Sequence, residues 1–375
     1  MSAKHGLTRS SIRMIAAIAT IALLGSALFA SVASAKKAAP TPTAYLALGD
    51  SLSFGYKAVT FNANQAANKA NCEAAITAAG KGETEVAAAQ DALCEPTASF
   101  EPGFVGIFGK KLAATEKKAG NALTTVNLGC PGETSDGLIG HLLGGEGAEF
   151  DPCAYHNFLP GGAGYPLKTQ FGTSSELEAA ISLITTKSAG TVSAVSLQIG
   201  SNDELAVVGK CETPAYDAEK GFPSLTACIE HEAGPEGYAY SGGLFHHILV
   251  NIGTTIGVLR EGAKYAGKVL VLGFYNPDAQ LLPGSDKLDK ILNEALEGTI
   301  ASNGYGPGVE LAQPFTLINP EAALYKEGET SKENAQKENK ERHALCTYTE
   351  ICAHNDIHPT EKGYKAIAKL MDEAF

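Results

Sequence analysis

Short apolar runs alternate along this chain with longer segments whose apolar residues recur at helical spacing. Ala44-Tyr45-Leu46-Ala47-Leu48 is apolar throughout and reads as a buried strand. Strand-like runs lie at Tyr45–Leu48, Thr125–Leu128, Val192–Ile199, Val269–Phe274 and Phe315–Ile318. Between and after them, Leu177–Thr186, Leu244–Ala266, Leu288–Ile300 and Pro359–Phe375 carry the helical pattern. Ser175-x-x-Glu178 is a capping box that opens the first of these helices. Pro359 suits the first turn of the last. Strand and helix in alternation predict an α/β fold on a parallel sheet.

Three segments read as insertions into that frame: Asn62–Pro102, as two helices pinned by a disulfide; Gly144–Phe171, dense in Gly and Pro; and the acidic Cys211–Gly243. Loops at the C-terminal ends of parallel strands build the ligand crevice, so these segments are either pocket walls and a lid or surface decoration. The N-terminus is different in kind. Lys4, Arg9 and Arg13 precede an apolar run from Met14 to Ala30, and Ala33-Ser34-Ala35 is an A-x-A cleavage site. Residues 1–35 therefore read as a secretory signal peptide, 36–43 as a linker and 44–375 as a single domain. A membrane anchor is the competing reading; the apolar run is short for a span and no later stretch is long enough.

Charge and cysteine content narrow the partners. Losing the three basic residues of the signal moves the formal charge from -12 to about -15. Such a surface disfavours nucleic acid and anionic membrane as partners. Eight cysteines lie in the exported part, an even number in an oxidising compartment, so disulfides are expected. Each neighbouring pair falls inside one Gly/Pro/polar segment, which predicts Cys72–Cys94, Cys130–Cys153, Cys211–Cys228 and Cys346–Cys352. No C-x-x-C supports a zinc site instead.

The chemistry centres on Gly49-Asp50-Ser51-Leu52, which follows the first strand. A serine lifted out of a sheet at a strand end is well presented as a nucleophile, but it needs a base. His358 supplies a neutral imidazole, and Asp356, two residues before it, supplies a carboxylate to hold the ring. The oxyanion of a tetrahedral intermediate needs donors already in place. The Ser51 N–H, the Gly129 N–H and the Asn202 amide are the candidates; the last two follow the second and third strands. Asp50 is expected to brace the turn rather than to transfer protons. Asn202 also suits a helix cap. His354 and His358, four apart around Asp356, hint at a metal, but Pro359 argues against the helix such a pair needs. Phe54, Tyr56, Phe100 and Phe104 suit either an apolar acyl pocket or the core.

The blocks Gly49-Asp50-Ser51-Leu52, Asn127-Leu128-Gly129, Gly200-Ser201-Asn202-Asp203 and Asp356-Ile357-His358-Pro359-Thr360 resemble, in order and spacing, those of the GDSL-type lipases and esterases of the SGNH hydrolase superfamily. Secreted actinobacterial members are the most similar in kind. The resemblance implies a three-layer α/β/α sandwich around a parallel, flavodoxin-like sheet. It implies hydrolysis of acyl esters through an acyl-enzyme, with no metal and no organic cofactor. The chain departs from the family in one place. The acid commonly lies three residues before the histidine, where this chain has Asn355, so either Asp356 or a backbone carbonyl orients His358. The expected partner is a small-molecule or lipid ester, and the expected state a monomer. A carbohydrate O-acetyl esterase and a non-catalytic glycan-binding protein on the same scaffold are the alternatives.

Overall fold

The computed structural model describes residues 39–60, 103–140, 167–169, 175–213, 216, 220–237, 239–277, 279, 285–302, 305, 307–320 and 331–375. Five strands form its sheet: β1 (Thr41–Gly49), β2 (Asn121–Asn127), β3 (Thr191–Gln198), β4 (Lys268–Leu272) and β5 (Val309–Ala312). All neighbours are parallel and the order is β2-β1-β3-β4-β5. That is the flavodoxin-like order, with β1 at the point where the winding reverses; the crevice beyond its C-terminal end is the expected ligand site. The helices are α1 (Ser51–Phe54), α2 (Gly103–Lys118), α3 (Ser135–Ile139), α4 (Glu176–Thr186), α5 (Ser201–Cys211), α6 (Leu225–Ala233), α7 (Leu244–Gly257), α8 (Asp286–Ser302), α9 (Phe315–Ile318), α10 (Ser331–Tyr348), α11 (Ile351–His354) and α12 (Glu361–Ala374).

The strand period of two divides the core. Leu46 and Leu48 join Val195, Leu197, Val269 and Val271 on one face, under Leu177 of α4, Ile248 and Ile252 of α7 and Leu292 of α8. Tyr45 and Ala47 join Ala194, Leu270 and Leu272 on the other, under Phe104 and Phe108 of α2 and Tyr364, Ile367 and Met371 of α12. The result is a three-layer α/β/α sandwich whose inner strands β1, β3 and β4 are covered on both sides, which is why they read as apolar runs. Each fully buried leucine, such as Leu46 or Leu197, contributes roughly 2 kcal/mol of transfer free energy.

Several elements differ from the sequence reading. Phe315–Ile318 is a helical turn, not a strand; Pro314 presets the φ that opens it. The fifth strand is Val309–Ala312, at the sheet edge, where Glu310 stays exposed. The Leu244–Ala266 helix ends at Gly257 and widens into a π turn over Val258–Gly262. Pro359 precedes the last helix rather than entering its first turn; Thr360 is the cap, its Oγ1 accepting from Gly363 N at 3.0 Å. Of the disulfides, Cys211–Cys228 ties α5 to α6, and Cys346–Cys352 ties α10 to α11. Cys130 is also disulfide-bonded. The expected pairing of Cys72 with Cys94, Cys153 as the expected partner of Cys130, the segment 1–35 read as a signal peptide and the Asn62–Pro102 insertion lie outside the described residues, as does most of Gly144–Phe171. Among the described residues no helix is long and apolar enough to cross a membrane. No group of His, Cys, Asp and Glu among them is placed to hold a metal ion.

Candidate active site

The turn that carries Ser51 is fixed from three sides. Gly49 has φ 135°, and a Cβ there would lie 1.8 Å from the Gln198 carbonyl oxygen, so only glycine closes the turn. Its N–H donates to Glu176 Oε2 at 2.7 Å. Asp50 is fully buried and caps α1: Oδ1 accepts from Leu52 N at 2.9 Å, and Oδ2 from Gln198 Nε2 at 3.0 Å. Burial pushes the Asp50 carboxyl up to about 7, although both hydrogen bonds pull the other way; the charge of Asp203 adds to the rise. Asp50 thus braces the turn. Ser51 itself is partly exposed, and its N–H has no protein partner among the described residues.

His358 reaches the same place from the other end of the chain. The helical turn α11 ends at Asn355, which takes the left-handed conformation with φ 51°. That reversal lets Asp356, rather than the residue before it, face the ring. The strand-like bridge Thr349–Pro359 and the bond from Glu350 N to the His358 carbonyl (2.8 Å) pin the loop to the end of α10. Tyr275, just beyond β4, donates from its hydroxyl to the Ile357 carbonyl at 2.9 Å. Within this frame His358 Nε2 lies 2.8 Å from Ser51 Oγ, and Nδ1 lies 2.5 Å from Asp356 Oδ1. An ionised carboxylate cannot donate, so Nδ1 carries the proton and Nε2 accepts from the serine. Asp356 Oδ1 also accepts from His358 N at 3.1 Å, and Oδ2 from Ala58 N at 2.8 Å. Burial works to raise the Asp356 carboxyl. The bond and charge of His358, with the two N–H donors, outweigh it and hold the group below the usual carboxylate value. The Tyr56 ring packs on the imidazole at 4.6 Å between centroids.

Asn202 is the second residue of α5, which is capped by Gly200, so it is not itself the cap. Its Nδ2 donates to the Glu133 carbonyl at 2.8 Å, and it lines one cavity with Ser51 and His358. Gly129 follows β2 as expected, but its N–H donates to Asn127 Oδ1 at 3.0 Å and the residue is buried. That N–H is turned into the protein. The exposed glycine of this loop is Gly132, with φ 88°, next to the Glu133 that holds Asn202. Behind the loop, the fully buried Asp203 accepts from Ser135 N at 2.9 Å and Ser135 Oγ at 2.7 Å. Asn251 donates to Ser135 Oγ and to Asp136 Oδ1, both at 2.9 Å, and His247 Nε2 lies 2.9 Å from Asp136 Oδ2. Burial pushes Asp203 up to about 6 despite the Ser135 donors.

The cavity beside Ser51 has a volume of ≈ 100 Å³. Leu205, Val208, Ile229, Leu244, Phe245 and Leu288 give it apolar walls, drawn from α5 to α8. Part of the Cys211–Gly243 segment is thus a pocket wall. Phe54 and Phe104 are instead fully buried, and Phe100 lies outside the described residues. Glu204 and Asp289 also line the cavity. Burial raises the Glu204 carboxyl well above its ordinary value, and the charges of Asp289, Asp203 and Asp50 add to the rise. His354 stands apart, 3.8 Å from Glu350. The sequence assigns no role to Glu176, Gln198 or Asp203, and it offers Tyr56 for an acyl pocket or the core rather than for the imidazole it packs on. Glu176 carries a faint signal as an acid in the first turn of a capped helix; the others sit beside motif residues but declare their roles only through long-range contacts.

No sequence family and no curated protein matches the chain. Among solved structures it is similar to LAE5, an alpha/beta hydrolase from the metagenome of Lake Arreo, at 13% identity, a TM-score of 0.40 and coverage of 89% of this chain and 95% of that one. It is similar to a member of the lipolytic G-D-S-L family from Veillonella parvula at 11% identity and a TM-score of 0.37, with 89% and 98% covered. The acetylxylan esterase Axe2 from Geobacillus stearothermophilus shares 13% identity at a TM-score of 0.37, with 90% and 95% covered. At these levels of similarity the chemistry of the site stands on its own side chains.

Proposed function

We propose that the chain is a secreted serine acylhydrolase of the GDSL type, cleaving carboxylic esters through an acyl-enzyme on Ser51. The single observation that carries this reading is the continuous line from Asp356 through His358 to Ser51 Oγ, opening on an apolar cavity. His358 takes the serine proton as Oγ attacks the ester carbonyl, then returns it to the departing alcohol. Asp356 keeps the ring in the productive tautomer and offsets the charge it gains. Water repeats the sequence and frees the acid. The oxyanion falls to the Ser51 N–H, to Asn202 and, because the Gly129 N–H is occupied, to the N–H of Gly132 on the same loop. Export is supported by the A-x-A signal and by the disulfide-bonded Cys130, Cys211, Cys228, Cys346 and Cys352. The apolar walls favour an aliphatic ester over an acetylated sugar.

A panel of nitrophenyl esters of rising acyl length tests the reading on wild type and Ser51→Ala. The expected result is turnover that rises beyond acetate and is lost in the variant. Turnover of none of the esters would point to the glycan-binding alternative, and turnover of acetate alone to the O-acetyl esterase.

A further inference from the structure

Asn202 is an oxyanion donor only while its amide keeps one orientation. Its Nδ2 donates to the Glu133 carbonyl at 2.8 Å, which occupies one of its two N–H groups and leaves the second for the oxyanion. The two partners come from different elements: Asn202 from the first turn of α5, Glu133 from the loop that leads into α3. The start of α5 is fixed by packing. Gly200 opens it at φ 115°, and a Cβ there would lie 2.8 Å from Ile248 Cγ2 and 3.0 Å from the Phe274 ring. The loop has to be tied to that point, and Asp203 ties it. This residue follows Asn202 directly and is fully buried. Both its carboxylate oxygens reach across to Ser135, Oδ2 accepting from the N–H at 2.9 Å and Oδ1 from the hydroxyl at 2.7 Å. Ser135, also fully buried, stands two residues after Glu133. A second anchor comes from α7, where Asn251 donates to Ser135 Oγ and to Asp136 Oδ1. Burying a carboxylate costs free energy that apolar packing between the same two elements would not. What the carboxylate adds is direction: two charge-assisted bonds set both the distance and the angle of the loop against α5.

We propose that Asp203 and Ser135 are positioning residues of the oxyanion hole: their paired hydrogen bonds hold the Glu133 carbonyl where it turns the Asn202 amide toward the nucleophile. This rests on the acylhydrolase reading above and extends it to residues that touch neither the substrate nor the reacting atoms. They act on the transition state through Asn202 and leave the ester's seat on the apolar walls alone. Loosening them therefore lowers kcat and spares KM.

The test is a pair of double-mutant cycles, read in steady-state hydrolysis of nitrophenyl butyrate with the Ser51→Ala rate subtracted as background. Ser135→Ala removes one hydroxyl and keeps the Ser135 N–H bond to Asp203. Asp203→Asn keeps the shape and removes one acceptor. The two are made separately in case one fails to fold, and thermal melts report the fold. Each is expected to lower kcat about tenfold or more while KM stays within about threefold of wild type. On an Asn202→Ala background the same changes are expected to cost about threefold or less, because the group they position is gone. A folded variant of either kind that keeps the wild-type kcat overturns the proposal. So does a loss carried by KM, or one that repeats in full on the Asn202→Ala background, as a general loosening of the fold would. Near-normal turnover in Asn202→Ala itself overturns it too. Wild-type turnover that is lost in Ser51→Ala keeps the acylhydrolase reading intact in every one of these cases.

Discussion

Replacing Asp356 with asparagine removes one charge from beside His358 and little volume. The carboxylate holds three contacts, the imidazole Nδ1 at 2.5 Å, the His358 N–H and the Ala58 N–H, and through the ring it acts on the Ser51 hydroxyl 2.8 Å from Nε2. An amide cannot serve all of them. With its oxygen on Nδ1, its NH₂ meets the Ala58 N–H, donor against donor. With the amide turned over, its NH₂ faces Nδ1 and forces the proton onto Nε2, where it can no longer accept from Ser51. Either arrangement also leaves the imidazolium of the transition state without its counter-charge. Loss of the matching group in serine hydrolases lowers kcat by about 10⁴, which is roughly 5 kcal/mol in the barrier. The assay is steady-state hydrolysis of a nitrophenyl butyrate from pH 5 to 10, beside thermal melts that confirm the fold. A fall in kcat of about 10³ or more at neutral pH is expected, with partial recovery at high pH, where the serine proton is more easily lost. A kcat within tenfold of wild type would refute the argument and pass the orienting role to a backbone carbonyl.

Asn202→Ala removes one oxyanion donor and should cost about 10²–10³ in kcat, roughly 3–4 kcal/mol, with little change in melting temperature; near-normal turnover would remove Asn202 from the mechanism. Asp50 titrates near 7 in the fold against an ordinary 3.8. The native state therefore binds more protons across that interval, and wild-type stability should fall as pH rises from about 4 to 7. Asp50→Asn keeps an acceptor for Leu52 N and should flatten that fall by on the order of 1–3 kcal/mol, read as the difference in melting temperature between pH 4 and pH 8; parallel curves would contradict it. Reducing the disulfides, or the double change Cys346→Ser with Cys352→Ser, loosens the turn that carries His358. Activity should drop about tenfold while far-ultraviolet dichroism is unchanged, and activity that survives full reduction would show the bridge to be irrelevant.

Local pattern located the residues whose function depends on where a strand ends. Ser51 and Asn202 each follow an apolar run that is buried on both faces, and parallel strands of that kind declare themselves in sequence. The edge strand Val309–Ala312 did not, because half of it faces solvent and a proline-led turn beside it is the more apolar stretch. Helix α10 was invisible for a related reason: Ser331–Tyr348 is almost wholly polar and offers no apolar stripe to read. The oxyanion loop shows the limit at a site. From Asn127 to Ser135 two glycines compete, and only the hydrogen bond from Gly129 to Asn127 decides which N–H faces inward. The same holds for the acid. Spacing left Asp356 and a backbone carbonyl open; the left-handed turn at Asn355 is what brings the carboxylate onto the ring.

The account turns on Ser51 being a nucleophile activated by His358. Wild-type protein treated with a fluorophosphonate should gain one phosphonyl group per chain, carried on the peptide that contains Ser51 and absent in His358→Ala, as read by mass spectrometry after proteolysis. A chain that stays unlabelled while its ester hydrolysis continues, or a label that settles on another residue, would contradict it.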